Sequence, residues 1–399
     1  MQFSSIIFLG LLMLPIEEQS DLIKTSQHQP ENSNTKFEKI LSVSKSGVTY
    51  LASEDKKITL IEETGRISFS VDGQILSIRT DKTGSRIAAL AKKLTSGKEP
   101  GLDLYLLSKD SDVPLVLSLP HFFDDHLPEI AVSSHGDILV GSTTSNVVTL
   151  YNADGTAVKE ITLFAKSPYS LERSMRLAFA PDGESFYIAS MRLPAQPGNP
   201  FANENITLHK YNLQGKIIWQ AVLPEQGLGA MRLAENGTLL AINTYDAFSP
   251  QGIVQSTHIF STGGNLVSKL NTGFHDAEFT ENNQRLLLFT KKQASLYDIS
   301  DGAVVSSVKI ESPQMIHAAA CLSQGEGFML LTGESHFLSG QFQFLENRLR
   351  EYAANGDLLA QIEVDAALTP AAKIKCGTNN QIVLFDTHRI ELYRERGQK

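Results

Sequence analysis

From residue 37 onward, short stretches alternate apolar with polar residues, and tight turns separate them. The clearest unit begins at Pro128. Ile130 and Val132 alternate with polar neighbours up to Gly136, residues 137–140 continue, and Val147–Tyr151 follows. Asp154-Gly155 then reverses the chain into residues 158–164. Period-two alternation marks half-buried strands, and Asp-Gly between two of them marks a two-residue hairpin. The unit therefore reads as four antiparallel strands, a to d.

The a–b turn recurs at Gly47, Gly84, Gly136, Gly183, Gly237, Asn283, Gly325 and Asn380, at separations of 37 to 55 residues. Gly and Asn share a tolerance of positive φ, which such turns require. The c–d turn recurs at Gly65, Gly155, Gly215, Gly264, Gly302 and Gly356, with Asp110-Ser111-Asp112 in its place in the second unit. Four-stranded units of about 40–50 residues are propeller blades. The expected fold class is all-β: a single β-propeller of four-stranded antiparallel blades over residues 37–399, eight in number, with seven as the alternative. The eighth unit supplies strands a, b and c. A segment of the leader, residues 21–26, is expected to close the ring as its missing strand, because an unpaired edge is a liability.

The third unit, with Pro128, Ile130, Val132, Gly136, Val140, Asn146, Val148 and Asp154-Gly155, resembles the NHL type of propeller repeat. The fourth, with residues 177–183 (LAFAPDG) and 186–189 (FYIA), resembles the YVTN or WD40-like repeat. It ends in residues 211–219 (YNLQGKIIW), which are similar to a quinoprotein blade. Quinoprotein propellers repeat a docking tryptophan, and this chain has only Trp219. These resemblances cover residues 37–399 and imply a propeller scaffold without naming one function.

Residues 6–14 (IIFLGLLML) are nine apolar residues ended by Pro15, which fits the core of a signal peptide over residues 1–16. The run is too short to span a bilayer. The expectation is an exported protein, periplasmic or extracellular, although no Lys or Arg precedes the run. Residues 17–36 form a polar leader. The formal charge of −9 and pI near 5.6 argue against a nucleic-acid partner. Cys321 and Cys376 lack metal or redox spacing and read as two free, buried thiols.

In a propeller the a–b and c–d turns share one face, and the d–a and b–c connections share the other. The first set is uniformly tight here. The b–c connections are long at residues 92–102, 192–205, 245–256 and 333–347, and the last carries Phe337, Phe342 and Phe344. Variable loops on a rigid scaffold carry function, so this face is expected to hold a protein or small-molecule ligand.

Counting back from each a–b turn separates two sets on strand a. Leu177, Phe179, Met231 and Leu233 belong to an apolar set expected to pack between blades. Arg79, Glu129, Arg176, Arg232, Asp276, Glu278, Lys373 and Lys375 form a polar set, with Ser42 and Ser77, expected to face the axial channel. Two readings stay open: a mutually compensating ion-pair ring, or a pocket for a carboxylate or other anion. His126, His275, Asp276 and His317 gather near the same mouth and raise a divalent metal, calcium or zinc, as an alternative to no cofactor. No Walker loop, GxSxG elbow, HExxH or EF-hand loop is present. The sequence therefore points to a non-catalytic binding propeller. A metal-dependent hydrolase or lactonase with its site at the channel mouth is the alternative.

Overall fold

A computed structural model describes residues 22–29, 34–43, 48–81, 83–93, 101–119, 127–142, 147–163, 173–192, 206–247, 249–322, 327–338, 340–377 and 381–395. They form eight four-stranded antiparallel sheets arranged as blades, with no helix among them. The first blade comprises Thr35–Val43, Val48–Glu54, Lys57–Glu62 and Gly65–Ser70. The innermost strands of blades two to five are Gln74–Thr80, Glu129–Val132, Arg173–Phe179 and Gly227–Leu233. Those of blades six to eight are Asp276–Phe279, Gln314–Cys321 and Lys373–Cys376. Eight of these inner strands surround the axial channel.

Burial follows position within the blade. The second strands are sandwiched by neighbouring blades and are apolar on both faces, as in Ile138–Ser142 and Ile382–Asp386, which are buried throughout. Outer strands face solvent: Ala157–Thr162 buries only Ile161. The core is thus a series of seams between blades. Leu177 and Phe179 of blade four pack with Leu139 and Val148 of blade three. Met231 and Leu240 of blade five pack with Tyr187 and Leu208 of blade four. Leu233, expected in the seam, is half-buried and packs against it.

The a–b turns at Gly84, Gly136, Gly183 and Gly237 have positive φ, and Asn283 holds φ +54° in the same role. Gly47, Gly325 and Asn380 lie outside the described residues. A Cβ at Gly183 would lie 2.8 Å from His135 Nδ1 of the preceding blade, so these turns also pack blade to blade.

The last blade combines Lys373–Cys376, Ile382–Asp386 and Arg389–Glu395 with Leu22–His28, which runs antiparallel to Arg389–Glu395 as its outermost strand. Leu22 is buried against Leu349 and Val364 of blade seven. Lys24 Nζ meets Glu391 Oε1 at 2.6 Å.

Candidate functional site

Two places stand out: the axial channel and the b–c end of blade seven. Arg232, Asp276 and Lys373 of the expected polar set meet between the inner strands of blades five, six and eight; the side chain of Ser42 is not among those described. Arg232 Nε donates to Asp276 Oδ1 at 2.7 Å, and Lys373 Nζ lies 3.5 Å from Asp276 Oδ2. Burial alone would raise the pKa of Asp276. The hydrogen bond and charge of Arg232, the charge of Lys373 and the amide of Ala277 outweigh it and hold the carboxyl below its ordinary value. Glu278 behaves oppositely. Burial pushes it up to about 7, although the Cys321 amide donates to its Oε2 at 3.1 Å and Lys375 attracts it. Glu129 is raised by burial against the pull of Arg176 and Arg79.

One channel residue escaped the sequence count. The pairing of blade one skips a residue between Phe37 and Lys39 and again between Ile40 and Ser42. Each bulge reverses the period-two count. Lys39 is thereby carried toward blade two, where its Nζ donates to Thr80 Oγ1 at 2.7 Å. Nothing in the alternation of residues 35–43 marks these bulges.

Beside Arg79 the channel widens into a cavity of about 380 Å³. It exists because Ala131 and Ala178 stand where other blades carry Arg232, Glu278 or Lys375. Glu129, Ser133 and Glu235 also line it.

The histidines do not converge with a carboxylate set. His126 lies outside the described residues. His275 is exposed and meets the Phe289 ring edge-on at 6.2 Å. His317 packs against Phe344 with ring centroids 3.5 Å apart, and burial lowers its pKa to about 4. Asp276 is committed to Arg232 and Lys373. Among the described residues no three His, Cys, Asp or Glu side chains gather as metal ligands.

The segment 333–347, expected as a loop, is a correction: it is a β-hairpin. Strands Gly327–Leu338 and Gln341–Ala353 continue paired out to Leu338 and Gln341, well beyond the blade. A bulge between Thr332 and Glu334 marks where the hairpin leaves the sheet, and Glu346 there takes φ +51°. Buried Asn347 pins that base, donating through Nδ2 to Phe344 O at 2.8 Å and Ala366 O at 2.6 Å. Phe344 turns inward and bridges Leu368. Phe337 and Phe342 remain 64% and 58% exposed at the tip, ring against ring at 5.0 Å and 63°. The sequence carried a signal for this hairpin, Ser339-Gly340 between two alternating runs. The long b–c connections of blades two and four lie largely outside the described residues.

No family model matches the chain, and no curated protein matches it. Solved structures do. The C-terminal WD40 domain of Sif2 is similar at 12% identity and TM-score 0.56, over 94% of this chain and all of that one. The Dos1 propeller is similar at 11% identity and TM-score 0.54, over 94% of this chain and 95% of that one. KlAtg21, in complex with the coiled coil of AgAtg16, is similar at 12% identity and TM-score 0.50, over 84% and 99%. At such identity the likeness is one of fold. Taken with the eight four-stranded blades, it shows that the chain has a β-propeller fold.

Proposed function

We propose that the protein is a non-catalytic binding propeller that acts outside the cytoplasm and takes a protein partner on its b–c/d–a face. The observation that carries this reading is the blade-seven hairpin. It lifts Phe337, Leu338 and Phe342 into solvent on a rigid, hydrogen-bonded stem. Scattered apolar side chains on a surface are ordinary, but an aromatic pair held at the end of a projecting element is an anchor of the kind that fills a partner's pocket. A neighbour in fold is in complex with a coiled coil. A partner with an apolar helical stripe suits the same chemistry here. The apolar run at residues 6–14 supports the export part of the reading.

The test is a double variant, Phe337→Asp with Phe342→Asp, compared with wild type as bait in native extract with quantitative cross-linking. The tip is exposed, so the melting temperature should not change. A defined partner should be held by wild type and lost by the variant. Identical recovery by both proteins would remove the hairpin as the site.

A further inference from the structure

The charges of the axial channel divide into two groups. Between blades five, six and eight, Arg232 and Lys373 share Asp276. Between blades eight, one and two, Lys375, Lys39 and Arg79 come together with no carboxylate in ion-pair contact. Lys375 Nζ donates to Leu41 O at 3.2 Å, Lys39 Nζ to Thr80 Oγ1 at 2.7 Å, and Arg79 Nη1 to Ile78 O at 3.1 Å. Among the described residues none of these three cations forms an ion pair. Neutral acceptors satisfy the hydrogen bonds, and carboxylates act only from farther away: Glu278 attracts Lys375, but burial pushes that acid up to about 7.

The consequence is visible on Lys39. Burial within the ring, then repulsion by Lys375 and by Arg79, lowers its pKa, with only Asp81 pulling the other way. Asp81 is itself engaged in its own turn, accepting from the amides of Thr83 at 3.1 Å and Arg86 at 2.9 Å. Glu129 is attracted first to Arg176 and only then to Arg79. The three cations thus form a basic cluster inside a protein of formal charge −9. A local reversal of sign within low-dielectric walls focuses anions. The cavity of about 380 Å³ opens on the Arg79 side, large enough for a small molecule. Asp81, Glu129 and Glu235 also line it, with Arg79 its one base, so an anion would enter at the Arg79 side, toward Lys39 and Lys375.

We propose that Lys39, Arg79 and Lys375 bind a compact oxyanion carrying two or more negative charges, of the phosphate or polycarboxylate class, in the axial channel. The guanidinium fork of Arg79 suits the paired oxygens of such a group, and the two ammonium groups supply point charges. This site is separate from the blade-seven hairpin, and neither proposal depends on the other.

The experiment titrates inorganic phosphate and citrate into the whole chain by calorimetry and thermal shift, against chloride at equal ionic strength. Wild type should bind one of the two saturably and melt higher for it. Lys39→Met and Arg79→Met, made separately so that one misfolded variant leaves the other, should each weaken binding roughly tenfold or more, as for a lost charge-assisted hydrogen bond. Without anion both should melt no lower than wild type, because one of three like charges has been removed. Lys373→Met, in the paired group, should bind as wild type does. A wild type stabilised no more by citrate or phosphate than by chloride would overturn the proposal. So would binding by both Lys39→Met and Arg79→Met as tight as that of wild type, or an anion-free melting temperature lowered in both.

Discussion

Arg232 of blade five and Asp276 of neighbouring blade six are joined between their inner strands by a 2.7 Å hydrogen bond, and Lys373 of blade eight approaches the same carboxylate. Three blades are thus tied at their inner edge by one acid. Both side chains retain contact with channel solvent, so the bond is screened. Arg232→Ala should cost about 1 kcal/mol in a urea titration at neutral pH and low salt, and less at high salt. Because the pKa of Asp276 is depressed, its contribution is present above the unfolded value and is lost as pH falls through the folded one. Stability that is unchanged by the substitution and by salt would show that the contact carries no energy.

Glu278 should give the opposite slope. Its pKa of about 7 means that the native state keeps a proton the unfolded chain has released. Its favourable contribution is complete below the unfolded pKa of about 4.3 and disappears as pH rises through about 7. Stability should fall over that window by at most about 4 kcal/mol on this account. Glu278→Gln should flatten the slope, and parallel urea-midpoint curves for the two proteins would show that the carboxyl is ionised throughout.

Cys321 is buried and Cys376 half-buried, both as free thiols. Burial, then the charge of Glu278, raises both thiol pKa values well above the ordinary range. Since the thiolate is the reactive species, the native protein should resist a thiol reagent at pH 8. The denatured, unreduced protein should expose two reactive groups. Rapid labelling of the native protein would contradict this account.

Phe179 packs edge-on to Phe186 at 5.9 Å in the seam between blades three and four. Phe179→Ala should cost roughly 3–5 kcal/mol by denaturant titration. A loss below about 1 kcal/mol would mean that the seam collapses onto the neighbouring cavity.

Removal of residues 1–20 should leave a soluble, folded chain, whereas removal of residues 1–29 deletes Leu22–His28 and bares the edge of Arg389–Glu395. The shorter chain should melt lower and aggregate. Identical light scattering and melting for both would mean that this outer strand is dispensable.

What the sequence made legible was whatever repeats. Gly84, Gly136, Gly183 and Gly237 mark one backbone need in successive blades, and the blades follow from them. Phe179 and Met231 also fall on the buried side, because no bulge lies between either residue and the turn it was counted from. Lys39 was hidden because bulges cancel the parity on which such counting rests. The cavity was hidden for another reason. It is made by what Ala131 and Ala178 lack, and an alanine in a strand is unremarkable until its neighbours around the ring are known.

The pairing of Leu22–His28 with Arg389–Glu395 joins residues some 367 positions apart. During synthesis the outer strand of the final blade is made before the other described strands of the ring, and its partner after them. Every blade between them emerges while that early strand has no sheet to enter. Closure is therefore the latest event available to the chain, and it combines a long search with one of the largest sequence separations in the molecule. Until it happens both edges of the ring are exposed to other copies. In a growing cell, the time between those two events governs how many molecules reach the closed state.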